Sequence, residues 1–491
     1  MTSKYYLAFD FGASSGRGII GKLDDGRLEL SEIHRFANGP KEINGELFWD
    51  FDSQVAEIKK GIKKALESGV KISSIAIDTW GVDYVLFKQD GTPVRLPYHY
   101  RDSRTDNIPQ EIFSIISEKD IYERAGIQMM QLNTLYQLYA HKKAHPEDFD
   151  GATLLMIPDA MTYMLCGAMT CEYTEASTSN LLDAESGAWD FELIRKLGLP
   201  ENIFPEIVQP CTSAGVLRKE LQEELGCGAI PVVKIGAHDT ASAVASVPAP
   251  TQGDWAYISC GTWALLGAEL DKPFISENAR LAPLTNEGGL GKTIRFLTNI
   301  MGTWLFQETK RVWNEAGKKI GFPEIENMAK LSEPLKYLVN PNDSRFAAPG
   351  DIPGRVVEAC AASGQGGSLS DAEISRCIYD SLALCFREKL ENLQNILGHK
   401  YACLNIVGGG TKDKFLMQLA ADAIGIPVVA GPVEATSIGN IMGQAIANGD
   451  IKAVAEGREI VKKSFALERF EPDASARSAW DIAYKKYMSI K

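Results

Sequence analysis

Two aspartates in this chain stand where a strand-like run gives way to something else, and both are placed to do chemistry. Asp10 closes the apolar run Tyr5 to Phe9 and points into the turn Phe11 to Arg17. Within that turn, Gly12-Ala13-Ser14-Ser15-Gly16 offers backbone N–H groups and hydroxyls, with nothing bulky to block an approaching phosphate. An acid at the strand tip would hold, through water, the cation that such a phosphate brings. Gly261-Thr262-Trp263 repeats the device in the second half. Gly408-Gly409-Gly410 ends a strand and opens a helix, a place for a nucleoside to lie against bare backbone. Each turn taken singly also fits an ordinary hairpin. Together, opening both halves, they suggest facing loops that grip one polyphosphate.

Asp239 follows a strand and opens a helix, with His238 beside it. The position suits an N-cap aspartate. It also suits a carboxylate that accepts the proton of a substrate hydroxyl during phosphoryl transfer. Trp80-Gly81, at the end of another strand, fits either a wall for the apolar side of a sugar or a core tryptophan. Tyr100-Arg101-Asp102-Ser103-Arg104-Thr105 is a charged cluster that reads equally as a salt-bridge network or a substrate clamp. Asn299 and Gln307 lie one helix-like stretch apart and would serve as polar caps or reach a nucleotide or sugar.

Three short matches point elsewhere and fail on context. Gly12-Ala13-Ser14-Ser15-Gly16 fits the G-x-S-x-G nucleophile elbow of hydrolases, but an elbow needs a helix after the serine and Arg17 to Leu23 reads as strand. Gly288-Gly289-Leu290-Gly291-Lys292-Thr293 resembles the end of a Walker A loop. That motif requires glycine five residues before Gly291, where Asn286 stands, so a Gly-rich hairpin is the better reading. The dinucleotide fingerprint suggested by Gly408 to Gly410 lacks its third glycine, since Asp413 occupies that position.

The elements that must position these residues alternate between strand and helix. Tyr5 to Phe9, Gly18 to Leu23 and Leu28 to Phe36 read as strands. An amphipathic helix follows over Ser53 to Glu67, with Val55, Ile58, Ile62, Ala65 and Leu66 on one face. Ile72 to Ile77, Tyr84 to Phe87 and Pro231 to Ile235 are strands, and Thr240 to Val247 is a small-residue helix. Pro248-Ala249-Pro250-Thr251-Gln252-Gly253 then breaks the chain. After it the opening layout recurs, with strands Trp255 to Ser259 and Trp263 to Leu270 around a tight turn. A long helix with Ile374, Ile378, Leu382 and Cys385 on one face precedes the strand Cys403 to Val407, the helix Lys412 to Ala423 and the strand Ile426 to Ala430. The duplicated start predicts two related α/β domains, 1–247 and 248–491, each with a parallel or mixed sheet.

Composition excludes several function classes. With 51 basic against 64 acidic residues the net charge is −13, wrong for non-specific nucleic-acid binding or for an anionic membrane surface. No apolar run approaches the ~20 residues of a membrane helix. The start Met1-Thr2-Ser3-Lys4-Tyr5 lacks the apolar core of a signal peptide. Nine cysteines without a CxxC pair are neither a disulfide framework nor a zinc site, although Cys360 and Cys377 would be able to approach each other. A cytoplasmic enzyme is expected.

The motifs in their order resemble the FGGY family of carbohydrate kinases, within the actin-like ATPase superfamily. The resemblance runs from Asp10 to about Gly449. It rests on Asp10-Phe11-Gly12-Ala13-Ser14-Ser15-Gly16-Arg17, Asp78-Thr79-Trp80-Gly81-Val82-Asp83, Tyr100 to Thr105 and His238-Asp239-Thr240-Ala241-Ser242. Thr285-Asn286-Glu287-Gly288-Gly289, Asn299-Ile300-Met301-Gly302, Gly431-Pro432-Val433-Glu434-Ala435-Thr436 and Gly439-Asn440 complete it. Ala13 stands where many members carry threonine, and Gln137 where the family has a lysine. The resemblance implies two duplicated actin-like (ribonuclease H-like) ATPase domains with a central cleft. It implies a sugar-and-phosphate side in the first domain and a nucleotide side in the second. The implied activity is ATP-dependent phosphorylation of a ketose, L-rhamnulose at its 1-hydroxyl, with L-fuculose or L-xylulose as alternative substrates and a sugar-sensing relative without turnover as the alternative class. Asp239 is then the base, and Ala13, Ser14, Ser15, Gly16, Arg17, Thr262, Gln307 and Gly409 contact the nucleotide. Gly81, His238 and Asn299 touch the sugar, and Asp10 holds Mg2+ through water. No nucleic-acid or membrane partner is implied.

Overall fold

In a computed structural model the chain is described over residues 3–249 and 255–490. Of the proline-rich break expected at Pro248 to Gly253, residues 250–253 lie outside the described residues. The chain forms two compact units, residues 1–251, 269–296 and 435–465 in the first and 252–268, 297–434 and 466–491 in the second. Both units are therefore discontinuous in sequence.

The first unit is built on a mixed sheet. Its strands lie in the order Thr212–Val216, Pro231–Lys234, Ile72–Asp78, Lys4–Phe11, Ser15–Asp24, Arg27–Ala37. The middle three run parallel, and hairpin partners flank them on both sides. Side chains alternate across the first strand, as a pleated strand requires. Leu7, Phe9 and Phe11 enter one apolar core with Ile58 and Ile62 of the amphipathic helix Phe51–Glu67. Tyr6 and Ala8 enter another, with Ile438, Ile441 and Met442 of the helix Ala435–Ala447. That helix packs so close that a Cβ on Gly439 would stand 1.8 Å from the Ser242 carbonyl oxygen, so only glycine fits. Each fully buried aliphatic side chain contributes about 1.5–3 kcal/mol by leaving water, which fixes both faces of the sheet and hence the register of the residues at its ends.

The second unit repeats this plan. The second sheet has seven strands, in the order Thr285–Gly288, Ile294–Ile300, Ala264–Leu270, Trp255–Cys260, Cys403–Val407, Val428–Ala430, Glu468–Phe470. Within it Ala264–Leu270 and Trp255–Cys260 form an antiparallel hairpin, Trp255–Cys260, Cys403–Val407 and Val428–Ala430 run parallel, and the antiparallel Glu468–Phe470 ends the sheet. The expected long helix spans Asp371–Leu397, capped by Ser370 and Glu373 in a reciprocal box. Its apolar face explains its burial, and Gly398 in the left-handed region ends it. The nine cysteines are free thiols. Cys360 and Cys377 are both buried and unbridged. Among the described residues no helix is long and apolar enough to cross a membrane.

Candidate active site

Three parallel strands of the first unit end at one edge of its sheet, and each delivers a carboxylate there. Asp10 is the next-to-last residue of Lys4–Phe11, and Asp78 the last of Ile72–Asp78. They are register partners. Beyond Pro231–Lys234, the segment through Asp239 runs beside Thr79, with the Thr79 N–H donating to the Ala237 carbonyl (2.9 Å) and the Asp239 N–H to the Thr79 carbonyl (2.8 Å). The carboxyl end of a parallel sheet is where open α/β folds gather ligands.

Asp10 shares its face of the first strand with Tyr6 and Ala8, so it looks toward the helix Ala435–Ala447. There Ser437 Oγ donates to Asp10 Oδ2 at 3.0 Å. Arg17, the antiparallel partner of Asp10, donates to the same oxygen at 2.6 Å. The turn between them is held from behind, since Asn38 donates its backbone N–H to Ser14 O and its Nδ2 to Gly12 O. Gly16 leaves room for the Phe36 ring, since a Cβ there would lie 2.2 Å from it and force the ring to move. Ser14, in a turn between two strands, has none of the strand-to-helix context that a nucleophile elbow needs.

Asp78 is a carboxylate whose part in the site was missed by sequence reasoning. It is wholly buried, its Oδ2 accepts from Asn440 Nδ2 at 2.6 Å, and its Oδ1 has no partner. Burial pushes its carboxyl well above the usual range, and the charges of Asp10 and Asp239 add to the rise. Asp239 is likewise raised, by burial first and then by Asp10, with His238 and the Thr240 hydroxyl pulling the other way. His238, rather than Asp239, is the cap of the helix Asp239–Ala245. The Asp239 side chain remains 34% exposed. Its Oδ1 accepts from Thr240 Oγ1 at 3.0 Å and lies 3.3 Å from His238 Nε2.

Behind His238 stands a buried pair, Arg295 and Glu287, that sequence reasoning likewise missed. Arg295 is fully buried, donates from Nε to Gly288 O (2.7 Å), and places Nη2 3.0 Å from His238 Nδ1. Its Nη1 lies 3.1 Å from Glu287 Oε2. Burial alone would raise the Glu287 carboxyl, but Arg295 and His238 draw it below its ordinary value. Glu287 and Arg295 flank the glycine-rich segment that mimics a Walker A end. That segment is a single short 3-10 turn, Leu290–Lys292, entering the strand Ile294–Ile300.

Gly81 lies against Thr178, whose atoms would stand 3.0–3.2 Å from an added Cβ. Trp80 is a core residue, its ring 4.0 Å from that of Trp49. Both indole N–H groups donate to Asp83 Oδ2. Burial pushes Asp83 up to about 6 despite these donors and Gln137. Arg104 donates to Gln137 Oε1 and sits 3.9 Å from the Tyr98 ring, while Asp102 accepts from the N–H groups of Leu47 and Arg104. The charged segment 100–105 thus belongs to a structural network in which Gln137 is the bridge.

In the second unit, Thr262 and Gln307 come together. Thr262 Oγ1 lies 3.3 Å from Gln307 Nε2, which also donates to Thr303 Oγ1 at 3.0 Å. The Thr262 turn is seated on the start of the helix Trp304–Glu315, through the Trp304 N–H on Thr262 O. Gly302 permits this, since a Cβ would stand 2.6 Å from the Ala264 nitrogen. Gly408 and Gly410 crowd Cys260, whereas a Cβ on the exposed Gly409 would meet nothing. Asn299 lies on the strand Ile294–Ile300, half-buried.

Three carboxylates gathered at the strand ends of one of two α/β sheets fit phosphoryl-transfer chemistry, and comparison with known proteins gives the class. The chain belongs to the FGGY family of carbohydrate kinases. The N-terminal domain of that family matches residues 5–246 and the C-terminal domain residues 256–448. It is a carbohydrate kinase, with full-length relatives of one description. A rhamnulokinase of Bacteroides thetaiotaomicron is 42% identical over 98% of each chain. A rhamnulokinase of Ligilactobacillus salivarius is 38% identical over 99% of each. The fold is also that of solved sugar kinases at 17% identity. A xylulose kinase from Lactobacillus acidophilus superposes with a TM-score of 0.82, covering 99% of this chain and 97% of that one. A Plasmodium falciparum glycerol kinase superposes with a TM-score of 0.79, covering 99% and 98%.

Proposed function

We propose that this kinase transfers the γ-phosphoryl group of ATP to the 1-hydroxyl of L-rhamnulose, giving L-rhamnulose 1-phosphate and ADP, in the cytoplasm. The substrate is supported by full-length relatives described as rhamnulokinases. The observation that carries the mechanism is the state of Asp239. One carboxylate oxygen accepts from the Thr240 hydroxyl and lies 3.3 Å from His238 Nε2, and the carboxyl is raised toward the pH at which a base works best. The hydroxyl proton passes to Asp239 Oδ2, the freed oxygen attacks the γ-phosphorus, and the bond to the ADP oxygen breaks. Positioning accounts for most of the acceleration in such a transfer, and the base contributes about 10²–10⁴-fold.

Gly81, His238 and Asn299 orient the sugar. Ala13 to Arg17, Thr262, Gln307 and Gly409 receive the nucleotide, Gly409 because its bare backbone faces open space. The division near residue 248 into a sugar-and-phosphate half and a nucleotide half belongs to the same reading. The donor set fits Mg2+, a hard cation that keeps several waters and takes one or two carboxylates. Asp10 would hold it through water, beside the unpartnered Oδ1 of Asp78. Bound with the nucleotide, Mg2+ supplies neutralisation of the phosphate charge.

The test is ADP release measured with L-rhamnulose, L-fuculose, L-xylulose and glycerol. The highest kcat/KM is expected for L-rhamnulose. A clear preference for another ketose reassigns the substrate, and release with none points to a sugar-sensing protein without turnover.

A further inference from the structure

The ring of His238 is met by groups whose hydrogen-bonding character is fixed. At Nδ1 the nearer neighbour is Arg295 Nη2, 3.0 Å away. A guanidinium carries donors and no acceptor, so Nδ1 must accept and bears no proton. In a neutral imidazole the single proton is then on Nε2, which lies 3.3 Å from Asp239 Oδ1. The alternative tautomer has a ready partner, since Glu287 Oε2 stands 3.4 Å from Nδ1. That oxygen is nevertheless left without a hydrogen bond, because Arg295 lies closer to the ring nitrogen.

Arg295 is in no position to drift. It is fully buried, its Nε is bonded to the Gly288 carbonyl, and the Gly288 N–H donates to Ser177 Oγ at 2.8 Å. From the other side, the His238 N–H donates to Thr174 Oγ1 at 3.3 Å.

We infer that Arg295 is a positioning residue that selects the Nε2–H tautomer of His238. That N–H then stands 3.3 Å from Oδ1 of Asp239, the oxygen that already accepts from Thr240 Oγ1, and leaves Oδ2 for the acceptor hydroxyl. The consequence for turnover rests on Asp239 being the base, while the tautomer does not.

The experiment uses the full chain labelled with ¹⁵N-histidine. The chain has six histidines, so the His238 signals are assigned by their loss in His238→Gln. In the parent, His238 is expected to show an unprotonated Nδ1 and a protonated Nε2. A parent spectrum with Nδ1 protonated overturns the inference. Arg295→Met is expected to move the ring toward the Nδ1–H form, facing Glu287. It should lower kcat with the ketose by about ten- to a hundredfold, the scale of losing a hydrogen bond to a charged group, and leave the KM for ATP in place. A glutamine at 238 has no tautomer to select. In a His238→Gln background, Arg295→Met should therefore cost less than about threefold more, a non-additivity that marks coupled residues. An equal loss in both backgrounds makes Arg295 merely structural. Should Arg295→Met not fold, Arg295→Met with Glu287→Gln removes both buried charges and carries the same comparison. If Asp239 were not the base, Asp239→Asn would keep its turnover while the parent spectrum stayed as described.

Discussion

Asp10 and Asp78 are register partners on adjacent parallel strands, so one sheet edge carries two carboxylates side by side. Their surroundings differ in kind. Asp10 is met by Arg17 and by the Ser437 hydroxyl. Asp78 has a single donor, Asn440, and one buried oxygen with none. The Asn440 amide is itself fixed by Gln444, whose Oε1 accepts from Ser74 Oγ, so a buried polar string along the helix Ala435–Ala447 sets the angle of Asp78. Leaving one carboxylate oxygen unmet in a dry site is costly. A cation brought by the substrate would relieve it.

Asp10→Asn tests that relationship. It removes one negative charge from the edge and leaves the turn 12–16 intact. The Mg2+ concentration giving half-maximal ADP release is expected to rise about tenfold or more, the scale of a lost interaction with a charged group. A Mg2+ titration that overlays the parent's would remove Asp10 from the metal site.

Asp239→Asn is expected to keep the KM values for ketose and ATP while kcat falls by about 10²–10⁴-fold. In the parent, kcat/KM should fall as pH drops through a value above the ordinary aspartate range, because the carboxyl is raised and must be ionised to accept a proton. Asp239→Glu should retain an acid limb at a different pH. Parent-like turnover in Asp239→Asn would end its assignment as base.

The acids at the strand ends were readable from sequence, because a strand followed by a Gly/Ser turn or a helix start fixes where the last side chain points. Asp10 and Asp239 were found that way. Asp78 was visible as the first residue of a motif but not as a partner of Asp10, since pairing of strands some 60 residues apart is not written in either one. Arg295 was hidden differently. It sits in the apolar run Ile294 to Leu297, where a lone cation gives no periodic signal, and its meaning depends on Glu287 and His238 arriving from two other segments. The family's motif order carried the fold, including the repeated sheet plan. The interleaving of the two units was not foreseen, because it arises when the helix Ala435–Ala447 returns to pack on the first strand.

Lys234→Met addresses stability rather than chemistry. Lys234 and Asp159 form an ion pair with both side chains 2% exposed, and Lys234 Nζ also donates to Thr170 O at 2.6 Å. Removing the cation leaves Asp159 buried beside two carboxylates, Glu172 and Glu175. A loss of about 3–5 kcal/mol is expected, read as a lower urea midpoint at unchanged slope. Asp159→Leu in the same chain should recover part of it. A midpoint within experimental error of the parent's would contradict the reading of the pair.

Glu172 makes stability depend on pH with a definite sign. Burial pushes its carboxyl up to about 7, with Asp159 adding and the Thr174 hydroxyl and backbone donors opposing. The folded state therefore holds this proton more tightly than the unfolded one, for which about 4.5 is ordinary. Its contribution is fully present below about pH 4.5 and is lost as pH rises toward 7. Relative to Glu172→Gln, the parent should lose a few kcal/mol between those limits, since each tenfold difference in proton affinity between the two states is worth about 1.4 kcal/mol. Urea unfolding of both at pH 4.5, 6 and 8 reads the difference, and parallel curves would refute it.

The glycines at 409 and 410 separate a binding role from a packing role. A Cβ on Gly409 meets no atom within 4 Å, whereas one on Gly410 would lie 2.3 Å from Cys260 Sγ and 3.1 Å from the Cys260 carbonyl oxygen. Gly409→Ala should therefore leave the unfolding transition alone, and Gly410→Ala should lower stability by about 1–3 kcal/mol, the usual cost of overpacking. If a nucleoside lies on this loop, Gly409→Ala also raises the KM for ATP severalfold, with the KM for ketose unchanged. Equal ATP affinity in Gly409→Ala and parent, measured by calorimetry on the intact chain, would remove Gly409 from the nucleotide site.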